Sequence, residues 1–144
     1  MAYFTKAQLK SRIDEQTLIL LTNDNPSADT IDEAKLDEII SDAHSIIDSA
    51  LRGRYTLPLT ITDGDLKDIG ITIARYKLYE LRQAVSMPDS LISSWAQAMQ
   101  RLKQYQTGER ILDVGNAEDA HPTFIKTVTK DKKFTTDVLA LYNS

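Results

Sequence analysis

From Leu36 to Leu51, apolar residues recur at three- and four-residue steps: Leu36, Ile39, Ile40, Ala43, Ile47, Ala50 and Leu51. That period fits one face of an α-helix and does not fit a half-buried strand. A helix of this kind must hide its stripe against other elements, so the rest of the chain has to supply partners. The spacing predicts a helix over 31–52. Thr30-Ile31-Asp32-Glu33 reads as a capping box at its start, and an acidic first turn suits the helix dipole. Gly53 stands where a left-handed C-terminal cap is wanted, with Arg52 and Arg54 beside the negative end of the dipole.

The partners are also helical in pattern. Thr5-Lys6-Ala7-Gln8 reads as another capping box, opening a short helix over 5–12. Glu15 to Leu21 either extends it or forms a further turn, before the turn formers Asn23-Asp24-Asn25-Pro26-Ser27. Tyr55-Thr56-Leu57-Pro58-Leu59 cannot prolong the preceding helix, because Pro58 pushes Leu57 towards an extended backbone. Thr62-Asp63-Gly64 supplies a turn and a cap. A helix over 65–84 then uses Leu66, Ile69, Ile73, Ala74, Leu78 and Leu81. Gly70 costs about 1 kcal/mol inside it. Stacked with Ala74, it lets a neighbouring helix approach closely. Pro88 suits a first helical position. The helix over 88–107 carries the stripe Leu91, Trp95, Ala98, Met99, Leu102 and Tyr105, and Gly108 ends it. Trp95, Leu102, Leu78, Ile73, Ile40 and Ile47 are the expected core.

After Gly108 the pattern changes. Ile111, Leu112 and Val114 suit a short strand, residues 115–122 are polar and turn-rich, and 123–136 have weak strand character. Residues 137–142 suit a last helical turn. The expected fold is mainly α, a four-helix bundle-like body with an extended C-terminal tail of short strands. Residues 1–108 form the body. Residues 109–144 are a C-terminal extension of the same domain, too poor in apolar residues for a core of their own and suited to an interface arm. A length of 144 residues agrees with one domain.

Composition narrows the chemistry. There are no cysteines, which excludes disulfides, thiolate nucleophiles and Cys-based zinc sites. No apolar run approaches the roughly 20 residues of a membrane helix. The net charge of −4 gives no global positive field for nucleic acid. His44 and Asp48 share a helix face and make half a metal site, but nothing completes the ligand set. His121 has no ligand motif around it, so no metal or cofactor is expected. Asp48 has Arg52 in pairing distance at i,i+4. Asp37, Glu38, Asp42 and Asp48 make the second predicted helix acidic, which reads as a solvated face or as a channel lining. No phosphate-binding glycine loop and no nucleophile elbow occur. Arg52-Gly53-Arg54-Tyr55 would meet phosphate at a helix C-terminus, which repels anions. Lys126, Lys130, Lys132 and Lys133 form a modest basic run, interrupted by Asp131.

The segment Ala43-His44-Ser45-Ile46-Ile47-Asp48-Ser49-Ala50-Leu51-Arg52-Gly53-Arg54-Tyr55-Thr56-Leu57-Pro58-Leu59 resembles the signature of a small Mu-like phage and prophage family. Tyr3-Phe4-Thr5-Lys6-Ala7-Gln8-Leu9, Ile73-Ala74-Arg75-Tyr76-Lys77-Leu78-Tyr79 and Leu102-Lys103-Gln104-Tyr105-Gln106-Thr107-Gly108 resemble the same family, in order and spacing. The likeness covers residues 3–112. It implies a head–tail connector, a non-enzymatic head-completion adaptor. Such proteins form a ring beneath the portal, typically a dodecamer. The ring extends the DNA channel without binding DNA specifically and offers a surface to a tail-side completion protein. The implied location is the virion, with the bacterial host cytoplasm during assembly, and no membrane. On this reading Ile47, Leu51, Tyr55, Pro58 and Leu59 are packing positions. Asp48, Arg52 and Arg54 fix the helix end and the loop after it. The alternative is a small helical regulatory or nucleic-acid-binding module. A basic recognition helix would favour that alternative, and the second predicted helix is acidic.

Overall fold

The computed structural model describes residues 1–59 and 63–112, which form five α-helices: α1 (Lys6–Lys10), α2 (Glu15–Thr22), α3 (Glu33–Leu51), α4 (Gly64–Glu80) and α5 (Asp89–Thr107). Among the described residues there is no strand. Their starts have chemical causes. Thr5 accepts the Gln8 amide at 3.1 Å while the Gln8 side chain accepts the Thr5 amide at 2.9 Å, a reciprocal capping box. Asp14 accepts both the hydroxyl and the amide of Thr17, at 2.7 and 3.1 Å. Those bonds hold its carboxyl below the ordinary carboxylate value. With its own cap, 15–22 is an independent helix, so there are five helical segments where the pattern gave four.

Three sequence expectations about helix ends need correction. The N-cap of α3 is Asp32, which accepts from the Lys35 amide at 3.2 Å, and not Thr30. The buried Thr22 explains the shift: its hydroxyl accepts the Asp32 amide at 3.1 Å and donates to the Leu18 carbonyl at 2.7 Å. This fixes the chain just ahead of the helix. Pro88 is the N-cap of α5, with ψ 141, and not its first helical residue. Gly53 is not left-handed. The chain leaves α3 through a turn in which the Arg54 and Tyr55 amides both reach the Leu51 carbonyl, at 3.0 and 2.9 Å. The left-handed cap is at Gly108, with φ 88.

The packing places α4 at the centre. It lies against α3 and α5 and also touches α1 and α2. Ile69, Gly70 and Ile71 are consecutive and all buried, which one amphipathic stripe cannot produce; α4 is covered on several sides. Gly70 serves this crowding. A Cβ there would lie 2.7 Å from Cδ1 of Phe4 and 3.2 Å from Cδ1 of Ile47, so the close approach comes from the N-terminal segment as well as from a helix. α3 and α5 flank α4 and each bury one face: Leu36, Ile39, Ala43, Ile47 and Leu51, and Leu91, Ala98, Leu102 and Tyr105. Of the expected core, Ile47, Ile73, Leu78 and Leu102 are buried, whereas Ile40 and Trp95 are half-buried at stripe edges. Trp95 stacks on Tyr76 with ring centroids 4.3 Å apart.

The body continues past residue 108. Leu112 is buried, and its amide donates to the Tyr55 hydroxyl oxygen at 3.1 Å. Ile111 and Leu112 are not in a strand, and Ile111 is exposed. The other strands expected in the tail, and the turn at 137–142, lie outside the described residues.

Candidate functional site

The segment that carries the family likeness, 43–59, is the last half of α3 and the loop after it. Ile47 and Leu51 face inward with no exposure. Asp48 sits one residue round from that face and is half-buried. Its two oxygens hold the start of the chain. Oδ1 accepts the Tyr3 hydroxyl at 2.6 Å, and Oδ2 accepts the Met1 ammonium at 2.9 Å. The partner expected at i,i+4, Arg52, is exposed. Burial first, and then the bond to Asp48, pushes the Tyr3 phenol well above its ordinary value.

His44 lies one turn earlier on the same face. Its Nδ1 accepts the Tyr3 amide at 3.3 Å, and its ring tilts against Phe4 with centroids 4.6 Å apart. Burial first, and then the nearby Met1 ammonium, lowers its pKa below the ordinary imidazole value. His44 and Asp48 thus do come together, but both are engaged in holding an N-terminal strap across α3. Among the described residues no group of three or more His, Asp or Glu is arranged around a common point for a metal ion. His121 lies outside the described residues.

The loop residues tie α3 to the far end of α5. Nη2 of Arg54 donates to the Thr107 carbonyl at 3.0 Å, a favourable place for a cation at a helix C-terminus. A Cβ on Gly108 would lie 2.5 Å from Cζ of Arg54, so the glycine provides both the left-handed backbone and the room for the guanidinium. Tyr55 is buried and holds Leu112; Leu59 is buried too. Pro58 is exposed, unlike the packing position expected of it, because Leu57 and Leu59 on either side turn inward against the core.

A second carboxylate cluster was not singled out from sequence. Asp65, in the first turn of α4, pairs with Arg101 and accepts the Tyr105 hydroxyl at 2.7 Å. Burial first, and then this bond, raises the Tyr105 phenol. The signal in sequence was faint: Tyr105 belongs to the α5 apolar stripe, and only its hydroxyl asks for a partner. Tyr3 and Phe4, apolar and just ahead of the cap at Thr5, were a clearer hint that the N-terminus packs down.

Open surfaces include an apolar groove and an acidic patch. A groove of about 430 Å³ lies between the C-terminal halves of α3 and α5, lined by Ile46, Ser49, Ala50, Met99, Leu102, Lys103 and Gln106. Asp37, Glu38 and Asp42 of α3 are exposed; Asp37 pairs with Lys6 at 2.7 Å, and Glu38 and Asp42 border a separate groove against α4, with Lys35 and Lys77. No helix among the described residues is long and apolar enough to cross a membrane.

Comparison with known proteins gives this arrangement a context. The sequence model of the family described as Bacteriophage Mu, Gp36 matches residues 3–129, reaching beyond the 3–112 over which the motifs were read. A relative from Haemophilus influenzae, the Mu-like prophage FluMu protein gp36, is 46% identical over 57 residues. That stretch is 40% of this chain and 40% of the relative's length.

Proposed function

This chain belongs to the bacteriophage Mu gp36 family, and from that premise we propose that it is a non-enzymatic head–tail adaptor of the phage particle. Several copies form a ring under the portal that extends the DNA channel. The portal lies on one side of the ring and a tail-side completion protein on the other. The observation that carries this reading is how the signature segment is used. Ile47, Asp48, Leu51, Arg54, Tyr55 and Leu59 are engaged in closing a body, from the N-terminal strap to the end of α5. The segment makes a stiff unit, which suits a structural part of a particle.

The exposed carboxylates of α3 suit a channel wall, since like charge keeps DNA from adhering. The C-terminal extension serves as the arm that reaches neighbours. The body includes Leu112, so the arm proper begins after it. Electron microscopy of the purified chain, alone and mixed with the portal, tests the reading. Rings of one size, or portals capped by an added ring, are expected. Dispersed single subunits in both samples would overturn it.

A further inference from the structure

We propose that the uncovered face of α4, centred on Arg75, receives the acidic side of α3 from a second copy of this chain. This rests on the adaptor reading, in which several copies assemble, and it names the faces that meet.

α4 is central, yet one of its faces has no helix lying on it. Asp68, Thr72, Arg75 and Tyr79 follow at steps of four, three and four, which makes a single stripe. Asp68 is exposed and the other three are half-buried. Ion pairs mark the two ends of the stripe, Arg12 with Asp68 and Arg82 with Asp24. Arg75, between them, has no hydrogen bond or ion pair among the described residues, and its Nε is buried without an acceptor. A half-buried guanidinium without an acceptor weakens the body that holds it, which points to an acceptor outside the chain. Arg75 also lies in one of the pieces that carry the family likeness, 73–79. Ile73, Ala74 and Leu78 of that piece are buried in the core, and Arg75 has no part there.

The complementary surface is on the same subunit. Glu38 and Asp42 stand four apart on α3, exposed and without an ion pair among the described residues. They border a groove of about 210 Å³ with Lys35, Lys77 and Glu80. Three carboxylates there stand against two lysines. Along the α4 stripe, Arg12, Arg75 and Arg82 stand against Asp24 and Asp68. Each surface keeps one excess charge, and the signs are opposite. Lys77 follows Arg75 by two residues and so points roughly 200° away round the helix. The two surfaces therefore lie on opposite sides of α4 and cannot meet within one chain. A contact between two unlike patches is head-to-tail, the kind that closes into a ring or runs on as a filament. A guanidinium can take a carboxylate through two parallel hydrogen bonds, and arginine and tyrosine are side chains on which such contacts depend. This assigns Glu38 and Asp42 to the subunit contact and leaves Asp37 of the same helix for the channel wall.

Sedimentation velocity of the full chain across a dilution series tests the contact. Arg75→Glu sets like charges against Glu38 and Asp42 of the next copy, and Glu38→Lys with Asp42→Lys does the same against Arg75. The unaltered chain should associate, and each variant alone should sediment as a single subunit. Mixed in equal amounts, the two variants should associate again, alternating along the assembly. Melting curves check that each keeps its fold. Should Arg75→Glu unfold the chain, Arg75→Gln carries the test, with association weakened about ten-fold. Variants that associate like the unaltered chain overturn the proposal. So does a mixture that stays dispersed, or an unaltered chain dispersed at every concentration. Electron microscopy reads the adaptor role separately. Rings formed by the Arg75→Glu chain reject this contact alone, and a mixture that gives filaments and never rings rejects the adaptor reading alone.

Discussion

Two aspartates perform the same act at opposite helix ends. Asp48 holds Tyr3 and the Met1 ammonium; Asp65 holds Tyr105 and Arg101. Each carboxylate takes one phenol and one cation and sews a distant segment to its helix. Their surroundings differ. Asp65 lies in the first turn of α4, where the helix dipole favours a negative charge, whereas Asp48 lies in the last turn of α3, where the dipole opposes it. The partners of Asp65 come from α5 and are already ordered by its helix. Those of Asp48 come from a strap whose ordering costs more conformational entropy. Asp48 therefore depends more heavily on its donors, and losing one of them should cost more at the strap than at α5.

The packing beneath the clasps gives the largest expected effect. Leu102 sits one turn before Tyr105 on the buried face of α5. Leu102→Ala should cost about 2–5 kcal/mol, measured by chemical denaturation, and should loosen Tyr105 as well. A loss too small to measure would mean that α5 is not held by this face. The clasps themselves come next. Tyr3→Phe leaves Asp48 short of a donor and should cost about 1–3 kcal/mol; Tyr105→Phe should cost about 0.5–1.5 kcal/mol. The order matters more than the sizes: if Tyr105→Phe proves the more damaging, the dipole argument fails. Alkali sharpens the same test. Both phenols titrate above their unfolded value in the folded chain. Above about pH 10 the unfolded chain therefore gives up protons that the folded chain keeps, and stability falls as pH rises. The double Phe variant should flatten that fall.

What the sequence revealed, and what it hid, follows the same division between local and distant effects. The stripes of α3 and α5 were legible because each helix buries one face, and the period of 3.6 survives in the residue order. The α4 pattern understated its burial: Ile71 lies off the stripe, and only the contacts of a central helix explain it. The Thr5 box was readable since both partners are local. Thr30 was misread as a cap because the residue that decides the matter, Thr22, comes from another helix. At the candidate site, the residues of 43–59 were singled out as a group, but most of the partners the structure gives them were not. Met1, Tyr3 and Thr107 are more than forty residues away, and no local rule of spacing joins them to Asp48 or Arg54.

Gly70 tests the seat of the strap. Gly70→Ala gains about 1 kcal/mol of helix propensity but sets a methyl 2.7 Å from the Phe4 ring. Overpacking costs about 1–3 kcal/mol, so a net loss of about 0–2 kcal/mol is expected. The informative measurement is the double variant. With Phe4→Leu the ring is gone, and Gly70→Ala should then stabilise. If it destabilises equally in both backgrounds, Phe4 is not what Gly70 makes room for.

The smallest effect concerns acid and the strap. His44 accepts the Tyr3 amide through Nδ1, so a proton there removes the bond. The charged groups that face it are the Met1 ammonium, which disfavours protonation, and Asp48, which favours it; burial, the larger cause, and the ammonium together outweigh Asp48, and the folded pKa lies below the ordinary 6.5. Below pH 6.5 the unfolded chain therefore binds a proton that the folded chain does not. The His44 contribution is whole above that pH and is lost as pH falls through the folded value. The chain has two histidines, so His121→Asn leaves His44 as the sole imidazole. In that background, melting temperature should decline gently from pH 6.5 downwards. Adding His44→Asn, whose side-chain oxygen can still accept the Tyr3 amide, should remove the decline. The carboxyls of Asp14 and Glu33 are held below their ordinary values and titrate at lower pH, outside this window. A decline of the same slope in the His44→Asn chain would show that the strap does not sense this proton.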